Sequence, residues 1–289
     1  MKNKLLLFFG LSFLLVATFS CEEDDEGSGT KAVFSYVTDG FVVNFTDFSQ
    51  NAAEYLWDFG DDSETSTQSN PTHVYGKKGD YLVTLTVKNN GETSTFQDSV
   101  YVLGPNIKID GDFTDWEHVP YTHTNDEGTG GTLLAVKTFA SAGALNFYLE
   151  GTQDFNLAVI DLYLDADNNP ETGLKSWMYP AGSGADFLLE GNYNPGTPAE
   201  SAGSMFAHVG PGNDWAWNEV ASFGQAVQFS AMKTVGGKKV LEFAVKREGL
   251  GNMKKFVNFA IVESTAGWAE IGNLPYNKQP TSKFATIEL

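Results

Sequence analysis

Apolar and polar residues alternate with a period of two in segment after segment of this chain, and long stripes of 3.6-residue period are missing. Tyr81-Leu82-Val83-Thr84-Leu85-Thr86-Val87 is the clearest case. Tyr81, Val83, Leu85 and Val87 share one face, which must be the core side, because Leu82, Thr84 and Thr86 take the other. Val33 to Val37, Phe41 to Phe45 and Ser94 to Leu103 read as strands too, the last entered through the turn Asn89-Asn90-Gly91. Such a pattern implies an all-β protein, and 289 residues suggest about two domains.

Cysteine usage limits how these domains are held. Cys21 is the only cysteine, so a disulfide within the chain is impossible and stability must come from cores and metal. It follows a short basic start (Lys2, Lys4), an apolar stretch from Leu5 to Phe19 and Ser20, which together describe a secretory signal peptide over residues 1–20. The stretch is too short for a membrane span, which needs about 20 apolar residues. The cysteine at the cut resembles the lipobox of bacterial lipoproteins, although Thr18-Phe19-Ser20 departs from the usual Leu-Ala-Gly. That resemblance implies lipidation of Cys21 and an outer-membrane anchor. The bland alternative is plain secretion. Residues 21–30, with Glu22-Glu23-Asp24-Asp25-Glu26 and a Gly-Ser-Gly extension, read as a flexible acidic tether. The run also resembles the acidic export signal of surface lipoproteins in glycan-degrading Gram-negative bacteria, which implies the cell surface. The formal charge of −19 disfavours nucleic acid and anionic lipid, and tolerates neutral sugars and bound cations.

Residues 31–103 form one unit. Its centre is Trp57-Asp58-Phe59-Gly60-Asp61-Asp62, followed by Pro71-Thr72-His73-Val74-Tyr75 and Gly79-Asp80-Tyr81. This resembles the PKD domain, with Asp62 standing where the motif has a second glycine. The resemblance implies an immunoglobulin-like β-sandwich with Trp57 and Phe59 in its core, used as a spacer. Asp58, Asp61 and Asp62 admit two readings, a calcium loop or a turn held by Asx hydrogen bonds, and the second is favoured. His73 reads as a structural hydrogen-bonder.

Gly104-Pro105 marks the break. Residues 106–289 read as a larger, jelly-roll-like β-sandwich of roughly eight to eleven strands. Expected strands are Leu133 to Phe139, Leu145 to Glu150, Leu157 to Leu164, Ala185 to Glu190, Ala226 to Met232, Lys239 to Lys246, Phe256 to Glu263 and Thr281 to Leu289, with a short helical turn within 247–253. The order of Ile109-Asp110-Gly111, Asp115-Trp116, Phe147-Tyr148-Leu149, Asp161 to Gly173, Gly184 to Gly191 and Leu241 to Val245 resembles carbohydrate-binding family-nine and DOMON-like sandwiches. Those families include sugar binders, haem binders and members without a known ligand.

Asp165, Asp167 and Asn169 alternate directly after an apolar strand, a spacing that gathers side-chain oxygens as in Asp-x-Asp-x-Asn calcium loops. The resemblance implies that Asp186 completes the set. Hard oxygens suit Ca²⁺, in a structural role, and the alternative is an acidic turn without metal. Loop aromatics supply candidates for stacking on a sugar face: Trp177, Tyr179, Tyr193, Trp215 and Trp268. Trp116 and Trp217 read as core residues, and Trp215 would share a face with Trp217 were both on one strand.

Enzyme chemistry finds little support. The chain has no catalytic cysteine and no Gly-x-Ser-x-Gly elbow. Its four histidines lack zinc spacing, and no two carboxylates stand out as an acid and base. The sequence therefore reads as a non-catalytic surface lipoprotein that binds a polysaccharide or oligosaccharide, next to a glycan-import complex. Its rivals are an adhesion protein with a protein partner and a glycan-active enzyme.

Overall fold

The computed structural model describes residues 29–251 and 253–289. The leader, Cys21 and the acidic run lie outside the described residues. The protein is all-β. In the first unit, β1 (Phe34–Asp39), β2 (Val42–Asp47) and β4 (Thr72–Val74) form one sheet, in the order β1-β2-β4. β3 (Glu54–Asp58), β5 (Gly79–Asn89) and β6 (Glu92–Val102) form the other, in the order β3-β5-β6.

The alternation of β5 is realised as read: Tyr81, Val83, Leu85 and Val87 are buried. They meet Trp57, whose ring lies 5.1 Å from Phe34 and 5.2 Å from Phe45 and whose indole N–H donates to Gln68 O at 2.8 Å. Gly60 turns the chain out of β3 at φ 74°, where a Cβ would stand 2.6 Å from Leu82 O. The aspartate-rich loop is a turn. Asp58 Oδ1 accepts from Gly60 N, and Asp61 Oδ1 from Ser63 N and Oγ. His73 bonds Asp61 Oδ2 at 2.8 Å and stacks flat on Phe59 at 4.0 Å.

The second unit packs two antiparallel sheets face to face. The larger contains β10 (Val159–Asp165), β11 (Phe187–Asn192), β12 (Ala202–His208), β13 (Trp217–Ser222), β17 (Phe256–Ser264), β18 (Glu270–Leu274) and β19 (Ala285–Glu288). Its order is β13-β12-β11-β10-β17-β18, with β19 also on β17. The smaller contains β7 (Tyr121–Thr124), β8 (Leu133–Ala140), β9 (Ala144–Gly151), β14 (Val227–Phe229), β15 (Lys233–Val235) and β16 (Lys238–Lys246), in the order β14-β16-β9-β8-β7, with β15 on β16. Among the described residues thirteen strands thus replace the expected eight to eleven. Several of the additional ones, such as Ala202–His208 and Glu270–Leu274, are short of large apolar residues at alternate positions. The turn expected to be helical within 247–253 is not helical where described; the short helix α1 (Phe223–Ala226) ends where the strand expected from Ala226 begins, and that strand is found as Val227–Phe229.

The sandwich core joins the sheets through phenylalanines. Phe147 and Phe243 stack at 4.7 Å, and Phe259 from the facing sheet meets Phe147 edge-on at 5.3 Å. Two fully buried glutamates tie loops to this core. Glu242 accepts from Asp110 N at 2.9 Å, Gly111 N at 2.6 Å and the Trp116 indole N–H at 2.8 Å. Glu263 accepts from Asn156 N, Leu157 N and the Thr132 hydroxyl. Where the two units meet, Phe41 packs edge-on against Phe139 at 6.0 Å, and Gly104 crosses beside that ring at φ 80°.

Because Glu242 collects three donors, replacing it by leucine leaves all three without an acceptor in a dry site. Glu242→Leu is expected to lower unfolding free energy by about 3 kcal/mol, and Glu242→Gln by less, in urea titration.

Candidate functional site

The site is built on one long connection. β10 ends at Asp165 and β11 begins at Phe187, yet Leu164 and Phe187 are direct partners, so the residues between must fold back on themselves. They lie over the outer face of the larger sheet. Leu174 bridges Ala185, and Ala181 N donates to Ser282 O. Tyr179 is buried there, its ring 5.1 Å from Phe284 and its hydroxyl donating to Pro275 O at 2.8 Å. Tyr163, Leu174, Leu188 and Val262 complete this separate apolar cluster.

With Tyr179 fixed inward, Trp177 is left outside, 73% exposed. Lys175 N donates to Gly212 O, which ties the loop to the connection between β12 and β13. A Cβ at Gly212 would come within 3.0 Å of Gly173 O, so glycine permits this approach. Trp215 therefore stands beside Trp177, ring centroids 6.0 Å apart and planes at 50°. Trp215 also meets Trp217 at 5.6 Å and Tyr163 at 6.5 Å, and His208 supports Trp217 from the side at 5.0 Å. The result is an aromatic rim with two exposed indoles on a rigid base.

The same end of β10 gathers carboxylates. One oxygen of each of Asp165, Asp167 and Asp186 lies within 4.8 Å of the others. Asp165 is fully buried; it accepts from Asn169 N at 3.0 Å and Asn258 Nδ2 at 2.9 Å, and burial pushes its carboxyl up to about 6. Asp186 Oδ2 accepts from Ala166 N and Asp167 N, and burial raises this carboxyl as well. Among the described residues no lysine or arginine forms an ion pair with any of the three. Three hard oxygens packed this closely, with no lysine or arginine paired to them, fit a divalent cation such as Ca²⁺. Asn169 also holds the turn, its Oδ1 accepting from Glu171 N and its backbone carbonyl from the Thr172 hydroxyl.

Of the five aromatics read as ligand contacts, the structure brings Trp177 and Trp215 together. Tyr179 and Tyr193 are corrected: both are buried, and the Tyr193 hydroxyl is used up on Ser230 O and Met232 N. Their hydroxyls satisfy backbone groups that the surrounding apolar packing would otherwise leave unpaired. Trp268 is 61% exposed, but it caps the turn after β17, whose Ser264 faces Val159, the end of β10 away from Asp165. It therefore does not join the pair. Trp215 escapes the face of Trp217 because β13 starts only at Trp217. Tyr163 and His208 were missed, and only the structure shows that they underlie the rim.

The PKD domain family model matches residues 28–103, and this segment is a PKD domain. Collagenase ColA of Bacillus cereus is 59% identical over 49 residues, 17% of this chain and 5% of that protein. A microbial collagenase of Vibrio alginolyticus is 31% identical over 166 residues, 52% of this chain and 19% of that protein. The chain thus spans less than a fifth of the length of these relatives. Among solved structures, a family 9 carbohydrate-binding module from Caldicellulosiruptor kristjanssonii in complex with cellotriose aligns with 64% of this chain and 89% of its own. Identity there is 13% and the TM-score 0.37.

If the Tyr179 cluster positions Trp177, then Tyr179→Ala should cost about 3 kcal/mol in urea unfolding. It should also open the 174–185 segment to limited proteolysis, while Tyr179→Phe costs only about 1 kcal/mol.

Proposed function

We propose that this chain is a non-catalytic cell-surface lipoprotein whose second β-sandwich binds a polysaccharide or oligosaccharide on the Trp177–Trp215 rim. The observation that carries the reading is the pairing of two exposed indoles from sequence-distant loops, fixed to each other and to the sheet beneath. Exposed large aromatics lose hydration favourably against an apolar partner, and a sugar ring face offers a flat one. The PKD domain serves as the spacer that carries the sandwich away from the membrane. Cys21, lipidated at the end of the leader, anchors it there on the outer face of the outer membrane, and the bound glycan passes to a neighbouring import complex. The support for the anchor is the sequence alone: a single cysteine placed between an apolar leader and an acidic run.

Ca²⁺ at Asp165, Asp167 and Asp186 has a structural role in this reading. It neutralises the carboxylates and pins the loop that bears Trp177, with oxygens of the Asn169 turn nearby. Chelator is expected to lower the melting temperature and Ca²⁺ to restore it, and Asp165→Asn should abolish the response in differential scanning fluorimetry.

Affinity electrophoresis of the purified chain through a panel of polysaccharides tests the binding directly. At least one gel should retard the protein. Trp177→Ala and Trp215→Ala should each weaken retention about tenfold, as expected for a lost stacking contact of about 1–2 kcal/mol, with the fold unchanged. Unaltered mobility of the native protein in every gel would overturn the capture reading for those glycans.

A further inference from the structure

The two units meet over a cleft of about 440 Å³ that shares no residue with the tryptophan rim. Phe41, Val119, Phe139 and Ile287 give it an apolar floor, and Lys77 and Lys78, just before β5, stand exposed on its wall. Glu288 is the one carboxylate side chain among the described residues of that wall. A hydrogen bond from Lys255, and then the charges of Lys255, Lys77 and Lys78, hold its carboxyl below the ordinary range. Lys78 Nζ donates to Ala140 O at 3.4 Å and Arg247 Nη1 to Ser141 O at 2.9 Å, so two more cationic groups end on consecutive carbonyls. Four cations and one carboxylate therefore gather at this junction. Among the described residues Lys77, Lys78 and Arg247 have no ion-pair partner. The chain as a whole carries 37 acidic and 18 basic residues, so this local excess of positive charge runs against its composition.

An aromatic surface adjoins these charges. Tyr121 lines the same cleft, and its hydroxyl donates to Glu150 Oε1 at 2.6 Å. The Lys137 ammonium lies 5.0 Å from its ring centroid. The ring is thus held in place, yet it stays 48% exposed. Glu150 is itself paired with Lys238 at 2.5 Å, so it does not offset Lys77 and Lys78. An inorganic anion would satisfy those lysines and leave the ring and the apolar floor in water. A ligand that uses both surfaces has a ring with an apolar face and an acidic group at its edge.

We propose that the cleft between the two units is a second glycan site and that it takes a uronate sugar, with its carboxylate on Lys77 and Lys78 and its apolar face on Tyr121. A uronate combines the two features in one residue, because its carboxylate projects from the edge of the ring. The lysines belong to the PKD domain and the tyrosine to the sandwich, so the ligand bridges them and the PKD domain supplies half of a binding site. The site stands or falls without the tryptophan rim. Diffuse attraction does not account for such binding, since the net charge of −19 repels a polyanion from the rest of the surface.

Isothermal titration of the full chain with trimers of galacturonate and mannuronate, and with their fully methyl-esterified counterparts, tests this by removing the charge and keeping the ring. At least one acid trimer is expected to bind about tenfold or more tightly than its ester, and less tightly as salt rises to about 0.3 M. Lys77→Gln with Lys78→Gln should erase that preference without changing the melting temperature, because both side chains are exposed. Tyr121→Ala should weaken the acid trimer, and Trp177→Ala should leave it unchanged. Equal affinities for acid and ester would overturn the site, and so would a preference that survives in the double lysine variant. Loss of acid binding in Trp177→Ala but not in the lysine variant would move the acidic sugar to the rim and overturn the cleft. Binding of neither acid trimer would overturn it as well, whatever the polysaccharide gels show for the rim.

Discussion

The apolar cluster of Tyr163, Leu174, Tyr179 and Phe284 on the outer face of the larger sheet is the constraint on which the site depends. A loop of some twenty residues has a large conformational entropy to lose, and backbone hydrogen bonds alone do not hold it in one place. Tyr179 settles the matter by burying its ring against Phe284 and spending its hydroxyl on a backbone carbonyl. Tyr179 N also donates to Ser176 O, closing a turn that has Trp177 at its corner and leaves that side chain in solvent. The carboxylate group at the start of the loop and the tryptophan rim at its crest are therefore two outcomes of one packing event.

Polar burial follows one logic at Glu242 and Glu263 and a different one at Asp161. Glu242 and Glu263 are fully buried, and each collects three donors, so both hold distant loops to the core. Asp161 is also desolvated but collects none at Oδ1. A protein without disulfides uses its buried carboxylates as staples where donors surround them, and the exception lies next to the exposed indoles.

Much of the architecture was readable from the residues. The period-two alternation of β5, the PKD motif around Trp57 and the core role of Trp116 appear in the structure as the sequence implied, because burial of one strand face leaves a local pattern. The strands Ala202–His208 and Trp217–Ser222 left little such pattern, since small and polar residues alternate there without contrast. The candidate site was half readable. Asp165 and Asp167 announced themselves by spacing, and Trp177 by its polar surroundings. The exclusion of Tyr179 and Tyr193 was not readable, because a tyrosine in a glycine- and proline-rich loop looks the same whether its hydroxyl meets water or a carbonyl across the fold.

The central claim is that Trp177 and Trp215 together form the binding surface. Proton–nitrogen NMR of the six tryptophan indoles during titration with a retained glycan tests it most directly. The account predicts shifts at Trp177 and Trp215, a smaller one at the underlying Trp217, and none at Trp57, Trp116 or Trp268. Shifts centred on Trp268, with the Trp177 and Trp215 signals unmoved, would contradict it.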